Sequence, residues 1–256
     1  MSAGHDHHHL FQPGSSVVHR VAPQCKVLAV LGFALIVVAT PADQFWAFAV
    51  YAGMLAGVAV LARVSPGVIA RRMLIEVPFV AFALLLPFVS QGDRVEVLGL
   101  SLSESGLLGA WSILAKATLG VVASILLAAT TEPRSLLLGV ERLRMPPLMV
   151  QIMQFMFRYA DVIASDMHRM RIARESRGFR ARNLRQIKVI AQSAGALFIR
   201  AYERGERVHL AMLSRGYDGS MPKTLTATAT RTDWVRAAML PTMALVVATS
   251  AWWVAR

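Results

Sequence analysis

FWAFAVYAGMLAGVAVLA, running from Phe45 to Ala62, contains no charged residue and no proline over eighteen positions. A run of about this length is what a bilayer with a hydrocarbon core of roughly 30 Å requires of a crossing helix. Four more apolar runs share this character. Val27 to Thr40 ends at Pro41 and is short unless it begins near Val21; Met73 to Val89 is interrupted by Pro78 and Pro87. Gly106 to Thr130 has Lys116 inside it, and Val235 to Val254 carries Pro241 and ends in Trp252-Trp253, a pair suited to a membrane interface. Internal prolines are tolerated in such helices because neighbours can satisfy the freed carbonyls. The 256 residues are 55% hydrophobic and only 16% charged, which excludes an ordinary soluble domain. The fold class that follows is an all-α polytopic membrane protein with about five transmembrane helices plus long cytoplasmic helices.

The charge is unevenly placed. Of the net +12, the segment from 132 to 236 carries +10, with 19 Lys+Arg against 9 Asp+Glu. In a membrane protein such a block first marks the cytoplasmic side, and acidic lipid headgroups account for part of it. Nucleic acid is set aside, because no recognition motif accompanies the charge. Arg20 and Lys26 precede the first run, Arg63, Arg71 and Arg72 separate the second from the third, and the basic block follows the fourth. The loops at 41–44 and 91–105 hold one Arg against four acidic residues. The alternation predicts a multi-pass protein of the cell membrane, with the N-terminus and the basic block in the cytoplasm and the C-terminus outside.

Pro147 to Ser165 resembles a sixth span, but Gln151, Gln154, Arg158, Asp161, Ser165 and His168 recur every three or four residues. That spacing draws one polar stripe along an amphipathic helix. Pro146-Pro147 opens it. A second helix is predicted from about Leu184 to Leu213, and Gly178 and Gly216 stop the two. The organisation is therefore a polar, His-containing tail over 1–20, transmembrane helices 1–4 over 21–130, a cytoplasmic helical region over 131–234 and a last transmembrane helix over 235–256.

The two helix ends say the same thing. Ala173-Arg174-Glu175-Ser176-Arg177-Gly178-Phe179 and Ala211-Met212-Leu213-Ser214-Arg215-Gly216-Tyr217 share Ala-x-x-Ser-Arg-Gly-aromatic. Glycine permits a left-handed helix cap, and the arginine before it is a permanently charged fork suited to a carboxylate. One copy alone reads as a capped helix end. Two copies in one register read as a docking surface for two equivalent partners, or one dimeric partner, held from the same side.

Three patches now resemble the transmembrane T component of energy-coupling factor transporters, and most closely the cobalt-type CbiQ. They are His19-Arg20-Val21-Ala22-Pro23-Gln24-Cys25-Lys26, with a Pro-x-x-Lys entry to the first span; Glu141-Arg142-Leu143-Arg144-Met145-Pro146-Pro147, a turn into coupling helices; and the paired Arg-Gly signatures. The family has Ala where Ser176 and Ser214 stand here. The resemblance, over roughly 17–254, implies an ATP-driven importer in which 131–234 is the coupling-helix region. It implies Ser176, Arg177, Gly178, Ser214, Arg215 and Gly216 as the ATPase-docking residues. Two ATPase subunits (CbiO-like), a substrate-binding membrane subunit (CbiM-like) and a small accessory CbiN-like subunit are the implied partners, beside membrane lipid. Cobalt(II) is the implied cargo, with nickel or a vitamin as alternatives. A membrane-embedded lipid-modifying enzyme and a non-transporting scaffold are the other classes considered.

No catalytic residue, resident metal or cofactor is expected. There is no Gly-Lys-Ser/Thr phosphate loop, no His-Glu-x-x-His helix and no Gly-x-Ser-x-Gly elbow. Cys25 is the single cysteine and reads as packing, and the polar N-terminus lacks the h-region and cleavage site of a removed presequence. His5, His7, His8 and His9 read as a solvated tail. His168 and His209 read as surface or interface residues, and the many methionines as adaptable packing. Lys116 reads as snorkelling to the outer interface; a pair with Glu76 is poorly matched in depth.

Overall fold

The computed structural model describes residues 11–90, 94–97, 100–179, 187–219 and 229–254. The elements are α1 (Val17–Arg20), α2 (Pro23–Ala39), α3 (Phe45–Ala62), α4 (Pro66–Arg72), a 3₁₀ turn (Met73–Glu76), α5 (Val77–Val89), β1 (Arg94–Val97), β2 (Leu100–Ser103), α6 (Glu104–Thr130), α7 (Pro133–Arg142), α8 (Pro147–Ser176), α9 (Ile187–Leu213) and α10 (Arg231–Val254). The strands form one small antiparallel hairpin with Arg94 opposite Ser103. The helices otherwise follow the apolar and amphipathic runs of the sequence. Among the described residues, four helical stretches are long and apolar enough to cross a membrane: Phe45–Ala62, Pro66–Val89, Glu104–Thr130 and Arg231–Val254. Pro23–Ala39 is a shorter apolar helix of 17 residues. Two compact units result, one over Met1–Leu143 with Ala227–Arg256 and one over Arg144–Thr226.

In the first unit α2 lies at the centre, parallel to α10 and antiparallel to α3 and α6. Phe33, Val37, Phe48, Tyr51 and Leu55 form its fully enclosed core. Tyr51 packs edge-on against Phe33 at 5.8 Å and keeps its hydroxyl satisfied, 3.0 Å from Thr40 Oγ1 and donating to Ala244 O at 3.3 Å. A buried tyrosine hydroxyl needs such partners, most of all where no water is at hand.

The brevity of α2 explains Lys116. At 1.5 Å per residue, 17 residues reach about 25 Å, short of the roughly 30 Å core, so a helix this short needs protein partners for its last carbonyls. All four are met. Thr40 Oγ1 donates to Ile36 O (2.9 Å) and the Thr40 backbone N–H to Val37 O (3.3 Å). Lys116 Nζ donates to Val38 O at 2.8 Å, and Trp252 Nε1 to Ala39 O at 3.2 Å. Lys116 is thus a cation at a helix C-terminus, where the helix dipole favours it. Glu76, only 4% exposed, instead accepts from Thr118 Oγ1 at 2.6 Å.

The opposite end of α2 is tied by Lys26. Its ammonium, in a residue 7% exposed, donates to His19 O (3.2 Å), Thr130 O (2.9 Å) and Thr131 Oγ1 (3.1 Å). Three donors meet three acceptors, which joins the turn before α2 to the end of α6. The Gln12 N–H adds a bond to Ala129 O at 2.9 Å. α7 then presses on the first turn of α2: a Cβ at Gly139 would stand 2.8 Å from the Gln24 nitrogen, so only glycine allows this approach. At the start of α10, Thr230 and Asp233 form a reciprocal cap; the Asp233 N–H reaches Thr230 Oγ1, and Asp233 Oδ2 accepts from the Thr230 N–H. The histidines at 5, 7, 8 and 9 lie outside the described residues.

Candidate functional site

The second unit is a hairpin of the two amphipathic helices. Arg144 enters it in a left-handed conformation (φ 70°), and Pro146-Pro147 starts α8. The helices run antiparallel, as four bonds fix. Gln151, near the start of α8, accepts from Tyr217 OH at 2.7 Å and donates to Gly219 O at 2.9 Å, past the end of α9. Midway, Arg204 Nη2 meets Asp166 Oδ2 at 3.0 Å. Near the far end Arg174 Nη1 donates to Ser193 Oγ at 2.7 Å. Between them Phe155, Tyr159, Val208 and Met212 line an apolar cleft of about 500 Å³. Asp166 also holds Arg169 at 2.6 Å, and the Arg169 and Arg204 hydrogen bonds keep its carboxyl below the usual carboxylate range.

Both helices end in the same backbone motif. Gly178 and Gly216 have φ of 77° and 81°, the left-handed region that glycine alone enters freely. In α8 the Gly178 N–H bonds Glu175 O (3.0 Å) and the Phe179 N–H bonds Arg174 O (3.0 Å). In α9 the Gly216 N–H bonds Leu213 O (3.0 Å) and the Tyr217 N–H bonds Met212 O (3.1 Å). These are two Schellman caps, with an aromatic at the position that covers the last turn. The serines match as well: Ser176 Oγ donates to Ala173 O at 3.1 Å and Ser214 Oγ to Ala211 O at 3.0 Å. The shared pattern Ala-x-x-Ser-Arg-Gly-aromatic is therefore one capping structure made twice, each residue in its own place.

What the cap leaves over is the arginine. Arg177 and Arg215 are the exposed cap residues, and neither has an ion pair with a described residue. The antiparallel pairing brings the two motifs to opposite ends of the hairpin. α9 alone has 27 residues, so the ends stand on the order of 40 Å apart. The arrangement offers two identical cationic tips, each on a stiff rod.

The model of the family described as CbiQ, cobalt transport protein, matches residues 14–225. The chain belongs to the CbiQ family. Similar proteins carry related names. An energy-coupling factor transporter transmembrane protein EcfT of Brevibacillus brevis is 27% identical over 257 residues, covering 95% of this chain and 96% of its own length. A putative fused cobalt transport protein CbiMQ of Methanocorpusculum labreanum is 25% identical over 81% of this chain and 36% of its own. An uncharacterized protein of Methanocaldococcus jannaschii is 38% identical over 104 residues, which is 40% of this chain and 39% of that one. This CbiQ protein is a multi-pass transmembrane component of a transporter.

The six residues singled out in the sequence occupy the two caps, three in each. Sequence reasoning missed the bonds that make the hairpin, because Asp166 and Arg204 are distant in the chain and lie among many similar charges. It also missed Tyr217 as a residue that closes the hairpin through Gln151. Among the described residues, no cluster of three His, Cys, Asp or Glu side chains is placed to hold a metal ion. His168 is exposed, and His209 stacks edge-on to Tyr217 at 6.5 Å.

Proposed function

We propose that this CbiQ protein is the coupling subunit of an ATP-driven importer of the energy-coupling factor type, with cobalt(II) as cargo. The observation that carries the reading is the pair of identical capped helix ends with Arg177 and Arg215 presented at opposite tips of one hairpin. Two ATPase subunits each receive one tip in an acidic groove, Arg177 in one and Arg215 in the other. When ATP closes the pair, the tips move and the hairpin passes that motion to a separate substrate-binding membrane subunit, which releases the metal inward. The N-terminus and the hairpin lie in the cytoplasm and the C-terminus outside, in keeping with the basic loops. The cobalt assignment is supported by the family description and by the name of the fused relative.

Each docking arginine is a test. Truncating one partner of a desolvated charge pair commonly costs about 2–5 kcal/mol, much of it from the stranded opposite charge. Arg177→Ala and Arg215→Ala each weaken co-purification of the ATPase, and the double variant loses the complex. Wild-type assembly and metal uptake in both single variants would remove the docking assignment.

A further inference from the structure

The membrane unit contains a second feature that the transport reading does not use. Between α2, α3, α6 and α10, at the end where Lys26 and Arg236 lie, is an apolar cavity of about 420 Å³. Val18, Val30, Leu55, Val58, Leu126 and Met243 are among its walls. The volume falls within the roughly 300–1,000 Å³ of ligand pockets. Three things define its occupant. The walls come mostly from the apolar helices α2, α3, α6 and α10 and are almost wholly hydrocarbon. Its charged lining residues are both cationic, Lys26, whose ammonium is already saturated, and the exposed Arg236, with Thr130 the remaining polar one. Asp233, one turn before Arg236, directs its Oδ2 to Thr230 rather than to that guanidinium. Finally, Arg20 before α2, Arg63 after α3, and Arg231 with the half-exposed Trp234 at the start of α10 sit at the helix ends on this side. Arginine with tryptophan is the composition of the headgroup layer.

We propose that this cavity holds one acyl chain of an anionic phospholipid, with the phosphate at Arg236. The chain fills the gap that the four helices leave, and the guanidinium selects for the negative headgroup.

Two glycines make the test clean. A Cβ at Gly57 meets nothing within 4 Å, and Gly57 lines the cavity; Gly53 is equally open on the same helix but is not part of the lining. The full chain, purified in mild detergent, is titrated with phosphatidylglycerol or phosphatidylcholine of identical acyl chains, and retained lipid is counted by native mass spectrometry. The wild-type chain and Gly53→Phe should retain one phosphatidylglycerol, with a preference over phosphatidylcholine of roughly fivefold, the value of one basic residue near a lipid phosphate. Gly57→Phe should retain neither lipid, and Arg236→Gln should retain both equally. Equal retention by Gly57→Phe and the wild type overturns the proposal, as does equal loss in Gly53→Phe and Gly57→Phe. Wild-type chain that retains no lipid, with Gly57→Phe shedding a co-purifying membrane subunit, assigns the cavity to a protein helix and overturns it too.

Discussion

Replacing Lys26 with Met tests whether the first unit is held by its polar tie or by packing alone. Methionine keeps an unbranched apolar stem, one atom shorter, and removes the ammonium. His19 O, Thr130 O and Thr131 Oγ1 then lose their shared donor. The Thr131 hydroxyl can turn to another partner, but the Thr130 carbonyl is left buried and the His19 carbonyl part-buried. Each unsatisfied acceptor costs about 1–3 kcal/mol, so the gross loss is about 2–6 kcal/mol. Part is returned, because the variant no longer buries a charge. A net loss of about 2–4 kcal/mol follows, or a fall in unfolding midpoint on the order of 5–15 °C for a chain of this size. Lys26→Arg falls between, since a planar fork cannot aim three diverging donors at these acceptors. Thermal unfolding of the detergent-solubilised chain, followed by tryptophan fluorescence, measures this against Lys188→Met, a change at an exposed site. Identical midpoints for Lys26→Met and Lys188→Met would show that the three bonds contribute nothing.

Gly178→Val and Gly216→Val place a branched side chain at φ of 77° and 81°, at a cost of about 1–2 kcal/mol each. They should lower ATP-driven uptake well below that of Ala173→Gly, and equal uptake in all three would make the glycines incidental. Asp166 has a folded-state pKa below the ordinary value of about 4, so its contribution to the hairpin is complete above that pH and is lost as pH falls through the lowered pKa. Spin labels at Ala160→Cys and Arg207→Cys on a Cys25→Ser background should report a fixed α8–α9 distance at pH 7 that broadens under acid. Asp166→Asn should be broad already at pH 7; a narrow neutral distribution in that variant would refute the role of the bridge.

The apolar runs were legible in the sequence because a bilayer sets both their length and their composition, and α3 needed nothing else. The ends were harder. The run from Met73 begins earlier in the structure, since Pro66–Arg72 continues through a 3₁₀ turn into α5, and proline is acceptable both at the opening of a helix and within a membrane one. The caps were readable because a Schellman end is local: Ser, Arg, Gly and an aromatic occupy consecutive positions. Lys116 was not readable, because its acceptor lies 78 residues away. The hairpin pairing was hidden for the same reason, as nothing in a run of mixed charges marks Asp166 as the one that reaches Arg204.

The clamping of α2 limits how this protein can move. One lysine ties its entry to the end of α6, while a second lysine and a tryptophan hold its exit to α6 and α10. A rod gripped at both ends cannot work as a piston: an axial slide of a single turn, about 5.4 Å, would break every one of these bonds at once. Whatever displacement reaches this unit has to turn α2 together with α6 and α10 as one body, or leave all three still and act at the periphery. The same constraint binds the sequence, since the length of α2 cannot drift by a residue unless the partners at its two ends shift in step.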